Sequence, residues 1–214
     1  MTGRAPRDGA VGDAVDRETI ALYDAEAARY AEQLSHPAPS DRLMAFMAAL
    51  PPGARVLDLG CGPGSAAAAM QAAGFSVDAL DASAGMVRVA KERFGVTVRH
   101  ATFADVDTGA GYAGIWANFS LLHAPRADMP EHLARLYRAL APGGRLHIGL
   151  KTGAGEARDS LGRLYTFYAP GEIEGLIRAA GFEILSRNEG EGRGFDGAVS
   201  PWIVLAAHRP AAAR

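Results

Sequence analysis

The sequence predicts an α/β fold in which helices cover both faces of a doubly wound, mostly parallel, seven-stranded sheet. Three observations carry that prediction. Apolar strand-like runs alternate with amphipathic helical runs, which implies right-handed crossovers between parallel strands. A bare glycine turn, "LGCGPG", links the first strand to its helix. The last two strand-like runs follow one another with no helix between them, so they pair as an antiparallel hairpin at one edge.

Two helices precede the sheet. From Asp16 to Leu34, Ile20, Tyr23, Ala27 and Tyr30 recur at helical spacing with charges on the other side. "HPAPS" breaks the pattern, and Ser40 caps a second helix from Asp41 to Leu50, ended by Pro51 and Pro52. Strands are then expected at "ARVLDLG", "FSVDALD", "VTVRHA", "YAGIWANFS" and "RLHIGLK". The helices between them are "GPGSAAAAMQAAG", ended by Gly74, "SAGMVRVAKERFG", ended by Gly95, and "DMPEHLARLYRALAPGG", with Leu133, Leu136, Tyr137 and Leu140 on one face. A last helix, "PGEIEGLIRAAG", precedes the closing strands "FEILSRNE" and "PWIVLAAHR". The stretch 151–170, "KTGAGEARDSLGRLYTFYAP", is long, charged and aromatic, and reads either as a segment that reaches over the pocket to an acceptor or as a solvated surface helix with Leu161, Leu164 and Phe167 packed beneath it.

The 214 residues suit one domain: a tail over 1–14, the domain over 15–208 (helices 15–50, sheet core 53–208) and a tail over 209–214. With 49% hydrophobic and 21% charged residues and a net charge of −2, the chain reads as a globular protein without a strong field of either sign. Its 22 Lys and Arg are dispersed among 24 Asp and Glu, which argues against nucleic acid as a partner. One cysteine, no membrane-length apolar run and no signal-peptide pattern give a cytoplasmic expectation without a membrane partner. His36, His100, His132, His147 and His208 have no ligand-like pairing with Cys or acid, so no metal is expected.

In such a sheet, ligands bind beyond the carboxyl ends of the strands where the strand order reverses. Gly60, Gly62 and Gly64 let the turn adopt positive φ and keep side chains out of the way of a ligand. The nucleoside-triphosphate loop G-x-x-x-x-G-K-[ST] is absent, and alanines 66–69 stand where the dinucleotide pattern wants its last glycine. Asp58 ends the first strand. Asp81 ends the second, roughly 20 residues beyond the loop, where a carboxylate can accept from both hydroxyls of a ribose. Each also has a structural reading, Asp58 capping the following turn and Asp81 the helix near Ser83.

"VLDLGCGPG" with "VDALDASAGMV", continued by "GIWANFSLLHAP", "LYRALAPGGRL" and "AAGFEIL", resembles the class I, Rossmann-like S-adenosylmethionine-dependent methyltransferases over residues 16–208. The resemblance implies S-adenosylmethionine as cofactor, S-adenosylhomocysteine as its product and a small-molecule acceptor. It places Gly60, Cys61, Gly62 and Gly64 under the methionine part, Asp58 at its ammonium and Asp81 at the ribose. Ala82 and Met86 flank the adenine, Met86 having an equal claim to be a core residue. Thr102, followed by Phe103, stands where the family often has Asp or Asn near the adenine amine. Asn118 and Phe119 fall near the methionine end, and Tyr30 or Tyr23 of the first helix touches the cofactor as part of a lid, or else packs in the core.

His123 follows the fourth strand, where the family keeps acceptor-side residues. It is a candidate general base, or else a hydrogen-bonding support for its own loop. Lys151, Arg158, Arg163, Tyr165 and Tyr168 are candidate contacts for an anionic or phenolic acceptor. Two other functions compete: a non-catalytic adenosyl-binding module and a nicotinamide-dependent oxidoreductase, which lacks its full glycine pattern and a Tyr/Lys pair. O-, N-, S- and C-methylation all remain open, as do monomer and homodimer.

Overall fold

The computed structural model describes residues 16–34 and 38–211. The N-terminal tail expectation and His36 therefore lie outside the described residues. Helices α1 (Arg17–Leu34) and α2 (Asp41–Ala48) lead into strand β1 (Arg55–Leu59). Then come α3 (Ser65–Ala72), β2 (Ser76–Asp81), α4 (Ala84–Phe94), β3 (Arg99–His100), β4 (Tyr112–Asn118), α5 (Met129–Ala139) and β5 (Leu140–Lys151). A short pair, β6 (Glu156–Arg158) and β7 (Leu164–Thr166), precedes α6 (Pro170–Ala179), β8 (Glu183–Arg193) and β9 (Val199–His208).

The main sheet has seven strands in the order β3-β2-β1-β4-β5-β9-β8. The first five run parallel, while β9 pairs antiparallel with both β5 and β8, giving the expected edge hairpin. The order reverses at β1 and β4, so a crevice opens beyond their carboxyl ends. Alternation along each strand sorts the core into two layers. Leu57, Leu59, Ile115 and Ala117 face α5 and α6 through Leu133, Leu136, Ile173 and Ile177. Val56 and Trp116 face the other way, onto Leu43, Phe46 and Met47 of α2 and Met70 of α3. Asp58 shares the parity of Val56, so its carboxylate enters the α2/α3 layer, where it is 2% exposed.

Four expectations need correction. Residues 151–170 do not form a surface helix: β6 and β7 are a two-stranded antiparallel hairpin, with Glu156, Ala157 and Arg158 opposite Thr166, Tyr165 and Leu164. Gly162, at φ 88°, makes the turn, and the hairpin is held by distant partners, since the Leu164 N–H donates to Thr19 Oγ1 at 2.8 Å. The third strand shrinks to Arg99–His100, because Val96 and Val98 are buried against α3 and α4. Helix α5 stops at Ala139, and the "LAPGG" expected to end it already belongs to β5. Arg209 is not tail: its N–H donates to Gly144 O, and its guanidinium donates to Leu140 O at 2.7 Å and lies over the Tyr137 ring.

Candidate functional site

A cavity of about 250 Å³ opens where the strand order reverses. Its floor is the β1–α3 turn. Gly60 and Gly62 sit at φ 65° and 55°, a region that costs a residue with a Cβ about 1–2 kcal/mol. Gly60 has a steric reason as well, because a Cβ there would lie 2.4 Å from Ser120 Cβ. Gly64 differs: it is not in the cavity lining, and its bare backbone lets Ala90 of α4 approach, a Cβ there meeting Ala90 Cβ at 3.0 Å.

Both strand-tip carboxylates reach the cavity wall. The Asp81 oxygens each accept one backbone N–H, Oδ2 from Gly62 at 2.8 Å and Oδ1 from Ser83 at 2.9 Å, so Asp81 holds the glycine turn while keeping lone pairs for a ligand. Burial raises its pKa against those two bonds. Asp58 is less well served: its Oδ2 is buried with no hydrogen-bond partner. Burial, reinforced by the Asp81 charge and opposed by the Ala67 N–H, raises its pKa to about 7.

Cys61, Ala82, Met86, Thr102, Phe103 and Asn118 also line this cavity. Met86 packs at the same time on Ala27 and Ala31 of α1, so its two sequence readings describe one position. Thr102 donates its N–H and hydroxyl to Asp105 Oδ2, both at 2.8 Å. Asn118 Oδ1 accepts from His147 Nε2 at 3.0 Å; the His147 ring stacks on Trp116, and burial lowers its pKa to about 3, so it stays neutral.

Helix α1 forms the roof. Tyr23 and Tyr30 meet edge to face, 5.5 Å between centroids, and both line the cavity. The Tyr23 hydroxyl lies 2.8 Å from His123 Nε2, and His123 Nδ1 lies 2.7 Å from Leu164 O. A carbonyl only accepts, so Nδ1 carries the proton and Nε2 accepts from Tyr23. Burial lowers the His123 pKa to about 4. Arg163 Nη1 donates to the Tyr23 oxygen at 3.0 Å and its fork is held by Asp159, making one line from Asp159 to Leu164.

A second cavity of similar volume adjoins the first and is lined by Lys151, Arg163 and Tyr165. The other two acceptor candidates lie elsewhere. Arg158 is exposed and pairs with Asp16 at 2.7 Å and Glu18 at 3.2 Å. Tyr168 is fully buried with an unpartnered hydroxyl and lines neither cavity.

Sequence reasoning missed Asp24, which fastens the roof. Its Oδ1 accepts from Ser83 Oγ at 2.7 Å and Gly85 N at 2.9 Å, docking α1 on the first turn of α4. Gly85 permits that approach, since a Cβ there would lie 2.5 Å from Asp24 O. These partners are some sixty positions apart, beyond any local pattern. Phe119 was placed, but not its backbone: at φ 57° it is the one non-glycine positive φ among the described residues. Such strain gathers at ligand sites, and Phe119 lines both cavities. No group of His, Cys, Asp and Glu able to hold a metal occurs among the described residues, and none of their helices is long and apolar enough to cross a membrane.

Residues 56–144 match a family model described as "Methyltransferase domain". The chain is 33% identical over 139 residues to a malonyl-[acyl-carrier protein] O-methyltransferase of Enterobacter lignolyticus, covering 62% of this chain and 53% of the relative. It is 34% identical over 148 residues to a trans-aconitate 2-methyltransferase of Variovorax paradoxus, covering 66% and 54%. The chain thus spans about half the length of these relatives. Among solved structures, a Burkholderia thailandensis 1,6-didemethyltoxoflavin-N1-methyltransferase holding S-adenosylhomocysteine superposes with a TM-score of 0.68 at 24% identity, covering 96% of this chain and 94% of that one. An S-adenosylmethionine-dependent methyltransferase of Methanosarcina mazei gives 0.71 at 16% identity, covering 81% and 99%.

Proposed function

We propose that this chain is a class I S-adenosylmethionine-dependent methyltransferase, a reading supported by its domain match and its fold, and that it transfers a methyl group to a small-molecule acceptor. One observation carries the reading: Asp58, which lines the cavity together with Asp81, has a buried carboxylate oxygen without a hydrogen-bond partner. An unpaired buried carboxylate is costly, and a ligand ammonium would relieve that cost. The donor set fits S-adenosylmethionine. Asp58 would meet the amino group, the free lone pairs of Asp81 the ribose hydroxyls, and the bare Gly60 backbone the methionine chain. Ala82, Met86 and Phe103 would wall the adenine, with Thr102 near its edge.

The cofactor supplies an activated methyl group that is displaced in line by a nucleophile. The chain then has to align the acceptor and exclude water. Tyr23, Tyr30 and Phe119 do so by closing the cavity beside its acceptor flank. We assign His123 to positioning, not to proton removal. Its one basic lone pair already accepts from Tyr23, and its lowered pKa makes it a poor base. Lys151, Arg163 and Tyr165 remain as acceptor contacts, whereas Arg158 secures the hairpin to α1 and Tyr168 fills the core.

Calorimetry with S-adenosylmethionine, S-adenosylhomocysteine and NAD tests this reading. Both adenosyl ligands are expected to bind, and Asp81→Ala to weaken them at least about tenfold. NAD binding without them, or unchanged affinity in the variant, would overturn the assignment. Turnover of labelled cofactor separates an enzyme from a binding module.

A further inference from the structure

Four aspartates, Asp16, Asp58, Asp81 and Asp128, line the first cavity, and among the described residues no Lys or Arg does. Three of the four have partners. Asp16 accepts from Arg158 and Thr19, Asp81 from Gly62 and Ser83, and Asp58 from the Ala67 N–H. Asp128 has none: among the described residues neither of its oxygens makes a hydrogen bond or an ion pair. Its position makes that unusual. Asp128 is the N-cap of α5, where an aspartate ordinarily accepts from the N–H two or three residues on, a bond that contributes about 0.5–2 kcal/mol. Here its backbone is helical, at φ −91° and ψ −15°, Pro130 has no N–H to give, and no side-chain cap forms. The carboxylate is left to the cavity it lines.

Which end of the cavity it serves follows from the sheet and from α5. Strand β2 lies between β1 and β3. With the ribose on Asp81 and the methionine chain over the β1 turn, the base of the cofactor points toward the end of β3, where Thr102, Phe103 and Ala104 line the cavity. His132, one turn beyond Asp128 on the same face of α5, meets the Phe103 ring edge to face, 5.5 Å between centroids. Asp128 therefore stands on the side where Phe103 walls the base. Adenine presents an exocyclic amine at its edge, a donor that needs an acceptor when it is taken out of water. Thr102 is the weaker candidate, a neutral hydroxyl tied with its own N–H to Asp105 Oδ2. Asp128 offers an ionised carboxylate with every lone pair open.

We propose that Asp128 reads the base of the cofactor: its carboxylate accepts from the exocyclic amine of adenine and makes the cavity selective for a 6-amino purine. This rests on the S-adenosylmethionine reading above and adds to it the residue that decides which nucleoside fits. A purine with hydrogen at position 6 forms no such bond, and one with oxygen there sets acceptor against acceptor.

The test is calorimetry on the full chain with S-adenosylhomocysteine and with its analogues carrying hydrogen (purinyl) or oxygen (inosyl) at position 6. The unaltered chain is expected to bind S-adenosylhomocysteine at least about tenfold more tightly than either analogue, the size of one hydrogen bond to a charged acceptor. Asp128→Ala should weaken S-adenosylhomocysteine by about that factor and leave the purinyl analogue where it was, closing the gap. Asp128→Asn, which donates as well as accepts, should keep part of the preference over the purinyl analogue and bind the inosyl analogue more tightly than the unaltered chain does. Equal affinities in the unaltered chain, a gap that survives Asp128→Ala, a uniform loss for all three ligands in both variants, or a gap abolished by Thr102→Val and kept in Asp128→Ala would overturn the proposal while leaving the cofactor reading intact. Failure of S-adenosylhomocysteine to bind the unaltered chain would instead overturn that reading, and this assignment with it.

Discussion

Raising the pH from 6 to 8 should tighten S-adenosylhomocysteine binding about tenfold and, in the ligand-free protein, lower folding stability. Both effects come from Asp58. Its carboxyl, buried with an unpartnered oxygen, titrates near 7 in the folded chain and near 3.8 when unfolded. A ligand ammonium pairs only with the ionised form. For a group titrating at 7, the ionised fraction rises about tenfold between pH 6 and 8, equivalent to about 1.4 kcal/mol. Without ligand the sign reverses. A carboxyl whose folded pKa is raised favours the folded state fully below its unfolded value, and that advantage is lost as the pH rises through the folded one. Over the same interval the free protein therefore loses about 1.4 kcal/mol. Titration calorimetry at several pH values and urea melts of the free protein measure the two slopes. Asp58→Asn isolates the contribution, since it removes the titration and keeps the shape. A variant whose slopes equal those of the unaltered chain would refute the reasoning, and so would binding that weakens as the pH rises.

Other outcomes follow from single contacts. Gly60→Ala should abolish measurable S-adenosylhomocysteine binding and cost about 1–3 kcal/mol, because positive φ and the Ser120 contact oppose it together; Gly62→Ala, whose Cβ meets nothing within 4 Å, should cost less, and the reverse order in thermal melts would contradict the steric account. Tyr23→Phe leaves His123 Nε2 and Arg163 Nη1 each short of a partner, so a loss of about 2 kcal/mol, or roughly 4–8 °C in Tm, is expected, and an unshifted melt would show that the line of bonds carries no stability. Tyr168→Phe should be neutral or stabilise by up to about 1 kcal/mol, because it deletes a buried hydroxyl that bonds to nothing; a clear loss of stability would reveal a partner for that hydroxyl.

The parallel core was legible in the sequence because its signals are local: alternation of strand and helix, glycines ending α3 and α4, and two adjacent strands at the end. The glycine turn and the two strand-tip acids were legible for the same reason, each lying within one βα unit. What escaped is set by distant partners. The β6–β7 hairpin has strands of only three residues each, and contacts to Thr19, Asp16 and His123 hold it in place. Asp24 reads as one more charge on an amphipathic helix until α4 arrives beneath it. Arg42 and Trp202 belong to elements 160 positions apart and meet only when β9 inserts beside β5. Arg158 and Tyr168 looked alike as acceptor candidates by composition; pairing with Asp16 holds one at the surface, and the other, bridged to Thr152 beyond β7, packs into the main core.

Helix α1 is pinned on three sides, by Asp24 to α4, by Asp16 and Thr19 to the β6–β7 hairpin, and by Tyr30 against Phe195 at the tip of the β8–β9 hairpin. Two chambers accordingly share a single ceiling, and traffic through either loosens the same beam. A tenant in one room that braces Tyr23 and Tyr30 should therefore alter how firmly the room next door holds its own, because both rings belong to each.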